Sequence, residues 1–180
     1  MQSKNDKMRV IWAYGQWQSL YSENIENIDI EYIDGLPSQN EIIEKRPELI
    51  VIDDLMNELA DDMKMGNLFT KGSHHMNINV IFLTQNLFHQ GKQMRNMNLS
   101  CHYLIIMKNP RDRSQIDVLG RQMKRTKQLS EAFTDATSCP FGYLLVDLRQ
   151  DTPESLMFRA KITPEESIKG KYSPVVYSPK

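Results

Sequence analysis

An α/β domain built on a largely parallel sheet is the fold predicted by this 180-residue sequence, and three observations carry it. Strand-like apolar segments recur along the chain with long helical or loop connections between them, which favours crossovers over hairpins. One of them, LIVID at 49–53, runs four apolar residues together without polar alternation. That is the pattern of a central parallel strand with helices over both faces. Finally, polar residues gather where several of these segments end, and open parallel sheets bind ligands at the carboxyl ends of their strands.

In chain order, the β-branched, aliphatic and aromatic content of MRVIWAY (8–14), IDIEYI (28–33), LIVID (49–53), NVIFLT (79–84), HYLIIM (102–107), YLLVDL (143–148) and LMFRAKI (156–162) marks strands. Helices are expected at 38–46, where Ser38 is placed to cap, and at 55–69, 113–124 and 128–135. Only QDTPES separates the last two strands, a short turn-rich link that predicts an antiparallel pair at an edge. Residues 1–165 are expected to form one domain, and 166–180, with Pro174 and Pro179, a linker-like tail. There is no internal repeat and no low-complexity tract.

The global charge is close to neutral, with 22 Lys and Arg against 23 Asp and Glu, but its distribution is not. Between Glu23 and Asp62 the net charge is −11, whereas between Lys92 and Lys127 it is +7. An anionic partner meeting the second half is compatible with that asymmetry, as are ordinary solvated helix faces. Cys101 and Cys139 make neither a metal cluster by themselves nor a disulfide framework, so an intracellular, reducing compartment is expected. No run approaches the roughly 18 apolar residues of a membrane span, and MQSKNDKMR does not read as a signal peptide. No membrane partner is expected.

Three strand ends carry candidate chemistry. Asp53 and Asp54 follow LIVI, Gln85 and Asn86 follow IFLT, and Lys108 to Arg111 follow LIIM. Carboxylates to hold magnesium, an amide to orient water or sense a terminal phosphate, and cations to neutralise charge would suit a nucleotide. Four apolar residues and two acids form a Walker B pattern, in which the first acid helps hold the metal and the second polarises water. Many α/β proteins end a strand with Asp merely to cap the next helix, so the pattern alone is weak. His74 and His75 offer a competing metal-dependent hydrolase or nuclease reading with the Asp pair. Adjacent histidines do not share a helix face, which makes them poor ligands for one ion. Trp12, Tyr14, Trp17 and Tyr21 read as core and its rim, with exposed members able to stack on bases.

LIVIDDLMNE, LFTKGSHHMNINVIFLTQNLFHQGK, LIIMKNPRDRSQIDVLGRQM and ATSCPFGYLLVDLRQDTPE together resemble the packaging ATPases of the FtsK/HerA superfamily. The similarity is to the poxvirus-type branch of large DNA viruses and of maverick or adintovirus transposons, and runs from about residue 8 to about residue 162. The resemblance implies a P-loop NTPase core, ATP and Mg2+ as cofactors, double-stranded DNA as partner and a homo-oligomeric ring. It also implies a location in cytoplasm, nucleus or virion. By the same resemblance Asp53 is the metal-associated Walker B acid, binding magnesium through water, and Gln85 is the sensor glutamine. Asp54 falls where many members have a catalytic glutamate, one methylene longer. Arg95 and Arg111 fall in blocks where such motors keep basic residues for phosphates, DNA or a neighbouring subunit.

The sequence departs from that family in one large respect. A phosphate loop, G-x-x-x-x-G-K-[ST], cradles phosphates with backbone amides and engages phosphate and magnesium with its lysine and hydroxyl. Gly91-Lys92 is followed by Gln93 and Gly170-Lys171 by Tyr172, and positions 86 and 165 are Asn86 and Glu165, so the loop is absent from these residues. The expectation is a motor domain entered at its second strand, with little ATP hydrolysis by itself. A non-catalytic DNA-binding or assembly module derived from such an ATPase is the second reading. It rests on KNPRDR and GRQMKRTK, with Lys124, Arg125 and Lys127 as phosphate contacts.

Overall fold

The computed structural model describes residues 7–23, 25–61, 76–88, 92–163 and 174–178. The chain packs as two compact units, Met1–Ser100 and Cys101–Lys180.

In the first unit, β1 (Met8–Tyr14), β2 (Ile28–Asp34), β3 (Leu49–Asp53) and β4 (Asn79–Leu83) form a parallel sheet in the order β2-β1-β3-β4. The register aligns Tyr14 and Leu83 with Asp53, so three strands end together there. Between β2 and β3 lies α1 (Gln39–Lys45), started as expected by Ser38 in a reciprocal capping box with Glu41. Lys45 at its last turn pairs with Glu31 of β2. Two further helices, α2 (Met56–Asp61) and α3 (Lys92–Ser100), complete the described α-helices of this unit.

Alternation along the strands divides the sheet into two unlike faces. Ile11, Ala13, Ile50 and Ile52 join Ile42 of α1, Leu55, Leu59 of α2, Ile78 and Met97 of α3 in one core cluster. At about 1.5–3 kcal/mol per buried aliphatic side chain, this helix-covered face supplies most of the unit's cohesion. Helical cover on both faces, as the unbroken apolar run predicts, is not what the described residues form. Over the second face the cover is aromatic: a short 3-10 helix, Ser19–Ser22, brings Tyr21 and its neighbour Trp17 onto Trp12, Tyr14 and Tyr32. Val51, in register with Trp12, is buried. Toward β4 that cover stops, and Ile81 and Leu83 remain 46% and 40% exposed.

The second unit corrects the expectation of a single largely parallel sheet. Here β5 (Tyr103–Met107), β6 (Tyr143–Asp147), β7 (Phe158–Ala160) and β8 (Val175–Val176) pair antiparallel in that order. The β6–β7 pair is antiparallel, as expected from QDTPES, but it is not the edge, which β8 takes beyond β7. The β5–β6 pair is antiparallel because two helices join its strands, α4 (Ser114–Gln122) and α5 (Thr126–Ala136). One helix reverses the chain and gives a parallel strand; two return it to the end it left. Val175–Val176 extends the sheet from within the tail, a pairing that its proline-rich composition conceals. The core sets Leu129, Ala132 and Phe133 of α5 with Leu144, Val146 and Phe158, all almost fully buried.

Candidate functional site

The acidic doublet is explained in part by the backbone. Asp53 ends β3, and Asp54 follows with φ +57, the left-handed conformation that Asp tolerates better than most residues. This reverses the chain into α2 and leaves the Asp54 side chain exposed. Gly15, at the end of β1, donates its N–H to the Asp53 carbonyl at 3.0 Å. A Cβ on Gly15 would lie 2.5 Å from the Asp54 carbonyl oxygen, so only glycine permits this approach.

Asp53 points to the aromatic face, where its Oδ2 accepts a 2.6 Å hydrogen bond from the Tyr21 hydroxyl. Burial and that carboxylate together raise the Tyr21 pKa to about 12. The indole N–H of Trp12 is buried short of good hydrogen-bond geometry, and its nearby dipole acts on the phenol in the opposite, lesser sense. Oδ1 of Asp53 has no donor among the described residues. The sequence carried no mark of the Tyr21–Asp53 pair, because a 3-10 turn 32 positions upstream supplies the donor. Folding holds the phenol protonated, so its contribution is complete below the ordinary tyrosine value near 10 and is lost as pH rises through about 12. Phenolate absorbance is therefore expected to develop late for two tyrosines, since burial and Asp135 raise Tyr177 further still, and Tyr21→Phe should delete only the component about two pH units late. Retention of the component in the variant would assign it to another residue.

Gln85 follows β4 on the same carboxyl edge, two residues beyond the Asp53–Leu83 register pair. It sits exposed on a bend that Thr84 and Asn86 build. Asn86 N–H donates to Thr84 Oγ1 at 3.2 Å, and Phe88 N–H to Asn86 Oδ1 at 2.9 Å. The Thr84 hydroxyl also lies 2.7 Å from Met56 Sδ, tying this bend to the start of α2 just after the acidic pair. Neighbouring strands stand only about 4.8 Å apart, so Asp53, Asp54 and Gln85 share one rim. Arg95 is exposed on α3 of the same unit.

The remaining candidates belong to the second unit. Arg111 is exposed on the turn after β5, its N–H bound to Asn109 Oδ1 at 3.0 Å. Lys124 is exposed with φ +54 between α4 and α5, and the Lys127 side chain is 90% exposed. Arg125 is committed within the fold, with its guanidinium 2.5 Å from Glu154 and 3.1 Å from Gln128. His74, His75, Gly91 and the Gly170-Lys171 pair lie outside the described residues. Among the described residues no three His, Cys, Asp or Glu side chains group as metal ligands.

A magnesium ion fits this donor set only in part. Mg2+ keeps several waters and takes one or two carboxylates plus substrate phosphates. Asp53, with one oxygen engaged and one open, suits the carboxylate share through water; a backbone cradle for the phosphates is not in the sequence.

Comparisons with protein-family models, curated proteins and solved structures return no match for this chain.

Proposed function

We propose that this chain is the greater part of an ATP-driven double-stranded DNA packaging or translocating motor, acting in a homo-oligomeric ring. The observation that carries the reading is the shared rim: a parallel sheet delivers Asp53 and Gln85 at the carboxyl ends of neighbouring strands. Asp53 would hold magnesium through water when the ion is bound, with Tyr21 fixing the carboxylate's orientation. Asp54 would act on the attacking water and Gln85 on the terminal phosphate. Arg95 and Arg111 are the candidate phosphate or neighbour-subunit contacts.

The phosphate cradle would come from chain outside these residues, on a strand added to the sheet. Support for such a strand lies in β4, an edge among the described residues with no charge in NVIFL and with Ile81 and Leu83 exposed. Sheet edges that face water are normally blunted by charge, proline or a bulge.

A DNA-binding module without catalysis is the second reading, favoured by the exposure of Lys124 and Lys127. One experiment separates them. Coding sequence upstream of Met1 is translated and the longer protein expressed if an apolar strand and G-x-x-x-x-G-K-[ST] precede this chain in frame. The motor reading expects magnesium-dependent ATP turnover that Asp53→Asn lowers at least about a hundredfold. Turnover indifferent to Asp53→Asn would sink it. In parallel, Lys124→Gln with Lys127→Gln should lower the salt slope of duplex binding by about 1.8, at roughly 0.9 per phosphate contact. Salt-dependent binding with no turnover from the extended protein favours the module.

A further inference from the structure

The turn after α5 breaks a conformational rule in the open. Cys139-Pro140-Phe141-Gly142 is closed by a Gly142 N–H to Cys139 carbonyl bond of 3.1 Å, with proline at its second position. Phe141, at the third, has φ +59. This is the type II pattern, whose third position calls for glycine or asparagine. The glycine instead stands fourth, where a Cβ would meet the Ala136 carbonyl oxygen at 2.4 Å. Phenylalanine thus takes a left-handed backbone that disfavours it, and its ring is 99% exposed. Neither cost is offset within the described residues. Strain of this kind is a reason to look for a ligand.

The surroundings state what kind of ligand. Phe141, Pro140, Met107 and Lys108 line a depression of about 350 Å³, and no carboxylate lines it. Lys108 opens a basic turn with Arg111 and Arg113. That turn's acid, Asp112, is engaged by the Ser114 N–H at 3.0 Å and by Gln115 Nε2 at 2.9 Å. The unit that contains the depression carries 13 Lys and Arg against 9 Asp and Glu. An exposed phenyl that shares a depression with Pro140, Met107 and the Lys108 ammonium matches a planar base joined to a phosphate.

We propose that Phe141 is a stacking platform for an unpaired nucleobase of DNA, with Lys108 on the adjoining phosphate. This rests on the DNA reading above but goes beyond its duplex to an unpaired base, on residues separate from Lys124 and Lys127.

The test is fluorescence anisotropy of the 180-residue chain with labelled oligothymidylate and with an abasic oligonucleotide of equal length. Oligothymidylate should bind at least about fivefold tighter than the abasic strand. Phe141→Ala and Phe141→Gly should erase that ratio, and Phe141→Trp should keep it, with indole emission quenched on binding. Phe141→Gly relieves the backbone, so its melting temperature should not fall, which removes misfolding as an explanation. Equal binding of both strands by the parent chain overturns the proposal, as does an unchanged ratio in Phe141→Gly. Concentration-dependent dimerisation lost in Phe141→Gly, with the base ratio unmoved, would assign the ring to a second copy and also overturn it. Salt-dependent duplex binding through Lys124 and Lys127, without any base ratio, would leave the broader DNA reading standing and this one refuted.

Discussion

Asp147→Ala is expected to destabilise the second unit by about 3 kcal/mol, the lower end of the cost of breaking a buried ion pair. Its carboxylate is fully shielded from solvent. Oδ1 accepts from Arg149 Nε at 3.1 Å, and Oδ2 from Arg149 Nη2 at 3.1 Å and Arg159 Nη2 at 2.5 Å. Arg149 in turn lies over the Tyr103 ring, 5.2 Å from its centroid, so one carboxylate braces β5, β6 and β7. Removing it leaves two guanidinium groups facing one another around a void. Both arginines reach water in part, which sets the estimate at the lower end. In urea the midpoint should fall by about 1 M or more, at roughly 1–3 kcal/mol per M.

The same carboxylate gives that unit an acid limit. Burial alone would raise its pKa, but the Arg149 bonds outweigh burial and hold it below the ordinary aspartate value. A depressed folded-state pKa stabilises above the unfolded value near 3.9, and the gain is lost as pH falls through the folded value. Stability of the parent should therefore decline below about pH 4, and Asp147→Ala should flatten that part of the profile. Equal midpoints for parent and variant at neutral pH would show that the network contributes nothing.

Gly15→Ala is expected to cost the first unit about 2–3 kcal/mol and to disturb the candidate site at the same time. The new Cβ, 2.5 Å from the Asp54 carbonyl oxygen, meets backbone rather than a movable side chain. Relief requires β1 and the end of β3 to part, which strains the Gly15 to Asp53 hydrogen bond. Because Tyr21 holds Asp53 from the other side, the displacement should also loosen the Tyr21–Asp53 bond and move the late phenolate transition toward ordinary pH. A stability loss without that spectral shift would show that the clash is absorbed by α2 rather than by the rim.

Apolar patterning was enough to place the strands: LIVID and YLLVDL bury most of their side chains, and NVIFLT forms a strand although Ile81 and Leu83 stay exposed. The capping box at Ser38 was equally local. Sheet membership was not: HYLIIM reads like LIVID along the chain, and only the pair of helices after it makes β5 antiparallel to β6. The Asp147 network left one trace, an acid inside an apolar strand with arginines at 149 and 159, whose meaning depends on β6 and β7 pairing.

By itself the sequence determined an α/β chain with acids, an amide and cations at strand ends, because alternation and strand punctuation are properties of neighbouring residues. The tertiary structure alone decided that Asp53 and Gln85 share a rim and that Tyr21 reaches Asp53. It also decided that Arg125 is spent on Glu154 while Phe141 stands in solvent. Those outcomes depend on register and on groups tens of residues apart, where an interaction exists only after the backbone has brought its two ends together.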